Sequence, residues 1–88
     1  MTLNEQRISR IKSRLKERFS PCEIEVIDES HLHIGHAGSK GGLGHFAISI
    51  KAPIFAKKSL LEKHHLIYET LGEMMQSDIH ALRIIRVT

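Results

Sequence analysis

FAKKSLLEKHHLIYETLGEMMQSDIHAL, residues 55 to 82, joins a helical hydrophobic period to the start of a β-rich run. Leu60, His64, Ile67, Leu71 and Met74 recur at alternating steps of four and three, and Leu61, Tyr68 and Met75 stand one position over. That spacing predicts a helix with a wide apolar face, which must lie on something flat. Beyond it, Asp78 and the β-rich run Ile79 to Val87 predict a strand. The helix is then the crossover that carries the chain from an earlier strand to this one, and His80 stands at the start of the strand.

Working back toward the N-terminus, Thr2-Leu3-Asn4-Glu5 fits a capping box, with the Thr2 hydroxyl accepting from the Glu5 amide and the Glu5 side chain reaching back. A first helix follows, with Ile8, Ile11, Leu15 and Phe19 as a narrow apolar stripe and Arg7, Arg10, Lys12, Arg14, Lys16 and Arg18 on the remaining surface. Ser20-Pro21 ends it, because Pro21 disfavours helical geometry at the residue before it and has no N–H to donate. Cys22 to Asp28 alternates Cys22, Ile24 and Val26 against Glu23, Glu25 and Ile27, the two-residue period of a strand with one buried face. His45 to Ile50 repeats it, with Phe46, Ile48 and Ile50 on one side. Between these strands lies ESHLHIGHAGSKGGLG, residues 29 to 44, with five glycines. It is long for a hairpin loop, and long loops are more often functional than decorative.

The order helix-strand-strand-helix-strand predicts an α/β (α+β) domain over residues 1–88, with a three-stranded mixed sheet and its helices on one face. The first two strands should be antiparallel and the last two parallel across a right-handed crossover. Strand one then ends, and strands two and three begin, at the same edge of the sheet. The histidine-bearing loop and His80 converge there, while Cys22 falls at the opposite edge.

Bulk properties bound the function. At 88 residues the chain has one core's worth of burial and little to spare. With 41% hydrophobic and 26% charged residues its composition is ordinary for a globular protein. No stretch is long and apolar enough for a bilayer, and the N-terminus lacks the apolar region of a signal peptide, so the expected compartment is the cytoplasm. A single cysteine excludes an internal disulfide, in keeping with a reducing environment. The net charge of +3 is mildly basic, and seven histidines are the more unusual feature.

His31, His33, His36, His45 and His80 form the sharpest chemical constellation. Imidazole is the commonest neutral metal ligand, and a glycine-rich loop can bring one ring onto a metal held from a strand. Spacing alone favours polar surface histidines instead, since no CxxC, HExxH or carboxylate-rich pattern accompanies them. His64, within the apolar helix face, reads as a buried, hydrogen-bonded residue. Gly41-Gly42-Leu43-Gly44 matches the GXXG of KH nucleic-acid-binding domains, but it precedes a strand instead of joining two helices, and is read as loop sequence. The basic first helix could contact phosphates through Arg10, Arg14 and Lys16, although a solvated face is the more ordinary reading. Phe46, Phe55 and Tyr68 all read as core, which leaves no aromatic stacking platform. Cys22 reads as a small core residue, and no nucleophile elbow or oxyanion loop supports an enzyme.

VIDESHLH (26–33), HFAISI (45–50), KHHLIY (63–68) and IHAL (79–82), in this order, resemble the BolA family from about Ile24 to Val87. The chain departs from the family pattern at Lys57, where a glycine is usual, and at Lys63, where an arginine is usual. The resemblance implies a class II KH-like fold without a working GXXG turn. It also implies partnership with a monothiol glutaredoxin and glutathione, the two proteins sharing a 2Fe-2S cluster. The implied ligands from this chain are His80, from IHAL, and His33, with His31 and His36 as near alternatives. The thiolates would come from the partner cysteine and its glutathione, so no cluster is expected to bind tightly to this chain alone. Some bacterial members are described as transcriptional regulators of shape and stress genes. DNA binding is therefore the alternative the resemblance carries.

Overall fold

The computed structural model describes residues 2–30 and 43–88. Helix α1 spans Leu3–Phe19, strand β1 Glu23–Asp28, strand β2 Gly44–Lys51, helix α2 Leu60–Leu71, helix α3 Met74–Ser77 and strand β3 Ile79–Val87, with a 3-10 turn at Pro53–Phe55. The sheet order is β1-β2-β3, β1 antiparallel to β2 and β2 parallel to β3. This is the three-stranded mixed sheet that the hydrophobic periods predict.

The core forms where one face of the sheet meets the helices. Ile11, Leu15 and Phe19 of α1, Phe46, Ile48 and Ile50 of β2, and Ile67 and Leu71 of α2 are buried together with Phe55, Met74, Ile79 and Val87. Ile24 and Val26 of β1 pack against this cluster and so does Cys22, half-buried just before the strand. β1 alternates exposed and half-covered residues along its whole length, the signature of an edge strand with one face on the core. β2, between its two neighbours, is buried on both faces from Gly44 to Ile48.

Two parts of the helical reading are corrected. The single long helix is divided, because Gly72 takes φ 51° after Leu71 and the short α3 follows as a separate turn. A side chain is disfavoured at positive φ, so glycine makes this break at little conformational cost. The apolar face is also narrower than its sequence pattern. Ile67 and Leu71 are fully buried, whereas Leu60 and Leu61 are 66% and 67% exposed and Tyr68 is 40% exposed. Only the C-terminal turns of α2 reach the core. Its first turn stands out from it, which leaves His64 half-buried instead of enclosed.

Capping follows local chemistry at both long helices. Thr2 Oγ1 accepts from the Glu5 amide at 3.1 Å, but its hydroxyl bonds the Glu5 carboxylate, so only half of the expected box forms. Ser59 and Glu62 form the complete reciprocal pair at the start of α2. The Ser59 amide, and after it the Ser59 hydroxyl, hold the Glu62 carboxyl below its ordinary range.

Lys57 has φ 67°, a left-handed conformation held by the turn between the 3-10 segment and α2. It is also the position where the sequence departs from the glycine usual in its resemblance. The left-handed penalty for an L-residue is about 1–2 kcal/mol, and the extra unfolded-state freedom of glycine offsets about 0.5–1 kcal/mol of it. Lys57→Gly is therefore expected to stabilise the fold by up to about 1 kcal/mol. Urea unfolding checks this: the midpoint should rise at unchanged slope, and a fall would show that Lys57 makes a contact worth more than its strain.

Candidate functional site

The edge where β1 ends and β2 and β3 begin is held by backbone and polar side chains together. The Glu29 amide donates to the His45 carbonyl at 2.7 Å, and the Gly44 amide donates to the Asp78 carbonyl at 3.0 Å. The Ser30 amide donates to Asp28 Oδ1 at 2.8 Å while Ser30 Oγ accepts from the His45 amide at 3.0 Å. A Cβ on Gly44 would lie 2.4 Å from the Phe46 ring, so only glycine allows β2 to begin so close to that ring.

His80 stands on this edge at an irregular point of β3. Gly44 pairs with Ile79 and His45 pairs with Ala81, so the register steps past His80 between them. Strict alternation would put His80 on the same face as Leu82 and Ile84, which pack against the core. The extra residue instead leaves Ile79 buried and both His80 and Ala81 exposed. A bulge re-aims a side chain in this way, and here it turns an imidazole outward. A second step past Ile85 does the same for Ile85 and Arg86 farther along the strand. The His80 ring packs on that of His45, centroids 5.0 Å apart and tilted by 51°.

Beneath His80 lies a polar network that no local pattern announces. Asp78 is 7% exposed and Arg7, read above as a surface residue, is 6% exposed. Arg7 Nε lies 3.5 Å and Arg10 Nη2 2.7 Å from Asp78 Oδ1, and Ser77 Oγ donates to Oδ2 at 3.0 Å. Arg7 Nη1 also donates to Asn4 Oδ1 at 2.9 Å, and Asn4 Nδ2 lies 3.2 Å from both Asp28 Oδ2 and Ser30 Oγ. The start of α1, the end of β1 and the start of β3 are thereby joined side chain to side chain. A buried charge pair separated by 71 positions has no periodicity by which sequence could reveal it.

Burial pushes the Asp78 carboxyl upward, but the Ser77 hydroxyl and the Arg10 and Arg7 guanidinium groups outweigh it and hold it below its ordinary 3.8. With the folded-state value depressed, the contribution to stability is fully present above the unfolded value and is lost as pH falls toward the folded one. Thermal scans from pH 6 downward should therefore lose stability faster below about pH 4 in the native chain than in Asp78→Asn. Parallel curves would remove Asp78 from the account of acid sensitivity.

The structure places the other candidate residues unevenly. His31, His33 and His36 lie outside the described residues. Both flanks of their segment, Ser30 and Leu43-Gly44, are at the His80 edge, as the strand order predicted. Arg10 bonds Asp78, and Arg14 donates to the Leu71 carbonyl at 2.9 Å and lies 3.4 Å from Glu73 Oε1. Arg18 continues the row by bonding Thr70 and Glu69. One stripe of α1 thus serves as a clamp on α2 and α3, and Arg14 satisfies a carbonyl left open at a helix end. Lys16 is exposed on another face. Glu29 and Arg83 form a two-pronged pair beside the same edge, at 3.2 and 2.6 Å, which raises the Arg83 value. Cys22 is at the far end of the sheet, where Glu23 pairs with Lys51. Among the described residues no group of three or more His, Cys, Asp or Glu side chains could hold a metal ion, and no helix is long and apolar enough to cross a membrane.

Known proteins resemble this chain over nearly all of its length. Among relatives, the SufE-like protein 1, chloroplastic/mitochondrial, of Arabidopsis thaliana is 39% identical over 84 residues, covering 90% of this chain. The DNA-binding transcriptional regulator BolA of Escherichia coli is 36% identical over 75 residues, covering 85% of this chain and 69% of that protein. The chain spans 23% of the SufE-like protein and 54% of the chloroplastic protein BOLA1 of Arabidopsis. The solved BolA domain of SufE1 from Arabidopsis superposes with TM-score 0.78 at 38% identity, covering 93% of this chain and 91% of that one. Arabidopsis BolA1 superposes with TM-score 0.74 at 29% identity, covering 91% and 88%. The model of the BolA-like protein family matches residues 15–88, from the last turns of α1 through the bulged strand that carries His80, and this chain belongs to that family.

Proposed function

We propose that this chain is a non-enzymatic adapter that binds a monothiol glutaredoxin with glutathione and shares a 2Fe-2S cluster with it, His80 and His33 being its ligands. One observation carries this reading. His80 is an imidazole turned outward by a bulge, on the edge where both flanks of the segment bearing His31, His33 and His36 are bonded down. The donor set suits a shared site: two neutral imidazoles supply half of a four-ligand shell. The thiolate half then belongs to the partner. His80 and His33 would hold the cluster, which would supply one-electron chemistry at a potential above that of an all-thiolate cluster, by analogy with Rieske centres.

The work of this chain is to present the imidazoles. Ligation needs each imidazole in its neutral form. The Asp78–Arg7–Asn4 network holds the start of β3, and with it His80, against the end of β1. The reading also requires a compartment that keeps thiols reduced, of which the cytoplasm is the simplest. Titrating the chain into a cluster-loaded monothiol glutaredoxin with glutathione tests it by visible absorption and circular dichroism. A new spectrum saturating at one chain per cluster is expected, and an unperturbed spectrum sinks the proposal.

A DNA-binding regulator is the second reading, favoured by the name of the Escherichia coli relative. Arg10 and Arg14 are committed to Asp78 and the Leu71 carbonyl, so substituting them would disturb the fold along with any phosphate contact. Lys16 is the clean probe. If α1 meets DNA, Lys16→Glu should lower the salt slope of binding by about 1 with the fold intact. An unchanged slope removes this helix from the DNA reading.

A further inference from the structure

We infer that His45 is a positioning residue for His80, its buried ring being the surface on which the exposed imidazole is held in one orientation. His45 is 5% exposed and its backbone is tied on both sides, the amide to Ser30 Oγ at 3.0 Å and the carbonyl to the Glu29 amide at 2.7 Å. It pairs with Ala81, so its ring lies beside the register step that exposes His80, at a centroid distance of 5.0 Å and a tilt of 51°. An exposed histidine on a strand ordinarily samples more than one staggered χ1 state, and fixing it has an entropic cost. A flat neighbour in tilted aromatic contact favours the state that stacks on it. His45 thereby serves as a support. It acts through His80 by choosing which rotamer the ligand arrives in, as residues behind a metal ligand commonly do.

The purpose of this contact rests on the reading of His80 as a ligand, but the contact itself is measurable in the chain alone. Ring-to-ring nuclear Overhauser effects between His45 and His80, with χ1 couplings for His80 showing one dominant rotamer, are expected in the unmodified protein. Averaged couplings without ring-to-ring effects overturn the inference outright. Two variants then separate packing from mere filling. His45→Leu fills the space without a flat ring and should release His80 into averaged rotamers, whereas His45→Phe should retain the single rotamer. If the leucine variant is folded and the His80 couplings are unchanged, the inference fails.

On a cluster-loaded glutaredoxin, His45→Leu should weaken formation of the mixed complex about 10–100-fold and His45→Phe should restore most of it. Equal loss in both variants, with His80 still fixed in the phenylalanine form, would mean that the imidazole nitrogens of His45 matter and not its ring face, and would overturn the positioning role. The two readings fail separately. A mixed spectrum that survives His80→Ala removes His80 as a ligand and leaves the ring contact standing, whereas averaged His80 rotamers in the unmodified chain remove only the positioning role.

Discussion

Asp78→Ala is expected to destabilise the fold by about 3–5 kcal/mol, because it takes the carboxylate away from a buried guanidinium. Arg7 is 6% exposed and cannot turn to water without leaving the core, where its side chain bridges Asn4 and Asp78. In a domain of this size each kcal/mol moves the thermal midpoint by about 4–8 °C, so the variant should melt more than 10 °C lower. Arg10→Ala removes a shorter ion pair, 2.7 Å, but its side chain is 53% exposed and the effect should stay near or below about 1 kcal/mol. The contrast decides between burial and distance as the source of the effect. If both variants lose similar amounts, Arg7 is better hydrated than its position implies and the network is not the staple of this edge. Replacing Arg7 and Asp78 together with Met and Leu should recover part of the loss, as exchanges of buried ion pairs for apolar groups often do.

His80→Ala is expected to do the opposite: it should leave the fold intact and abolish the mixed cluster spectrum with glutaredoxin. The side chain is exposed on the bulge, and surface substitutions of that kind shift stability by about 0.5 kcal/mol or less. Under the proposed ligand set, however, losing one ligand of four would leave an iron site open to water or to exchange. The change should appear as loss of the visible circular dichroism of the mixed complex at concentrations that saturate the native chain. Persistence of the native spectrum in His80→Ala would show that the imidazole is not a ligand, whatever the affinity of the two proteins. Because Asp78 and His80 are neighbours in sequence with opposite expected effects, the pair separates the frame of the site from its chemistry.

The sheet was legible in the sequence because its strands alternate cleanly. Ile24 and Val26, then Phe46, Ile48 and Ile50, face the core as the period of two requires, and β2 pairs with its neighbours in the expected directions. The helices were less legible. Periodicity marks which residues share a face but not how much of that face meets the sheet, so Leu60, Leu61 and Tyr68 read as core and are exposed. Gly72 carried the signal for the break before α3, since glycine after a last apolar turn is a common helix stop. The edge that gathers the histidines followed from strand order alone, whereas the outward turn of His80 depends on a register step that alternation conceals. Arg7 and Asp78 had no local signal, and the row Arg10, Arg14 and Arg18 looked like a solvated face until its carbonyl and carboxylate partners were placed by the fold.

The most direct test of the central claim is to see the nitrogen on the iron. The chain, labelled uniformly with nitrogen-15, is mixed with unlabelled cluster-loaded glutaredoxin and glutathione, the complex is reduced, and hyperfine spectroscopy records the nitrogens coupled to the cluster. Strongly coupled nitrogen-15 that disappears in His80→Ala is the result predicted here. Strong coupling absent from the native complex, or unchanged in the variant, would contradict it.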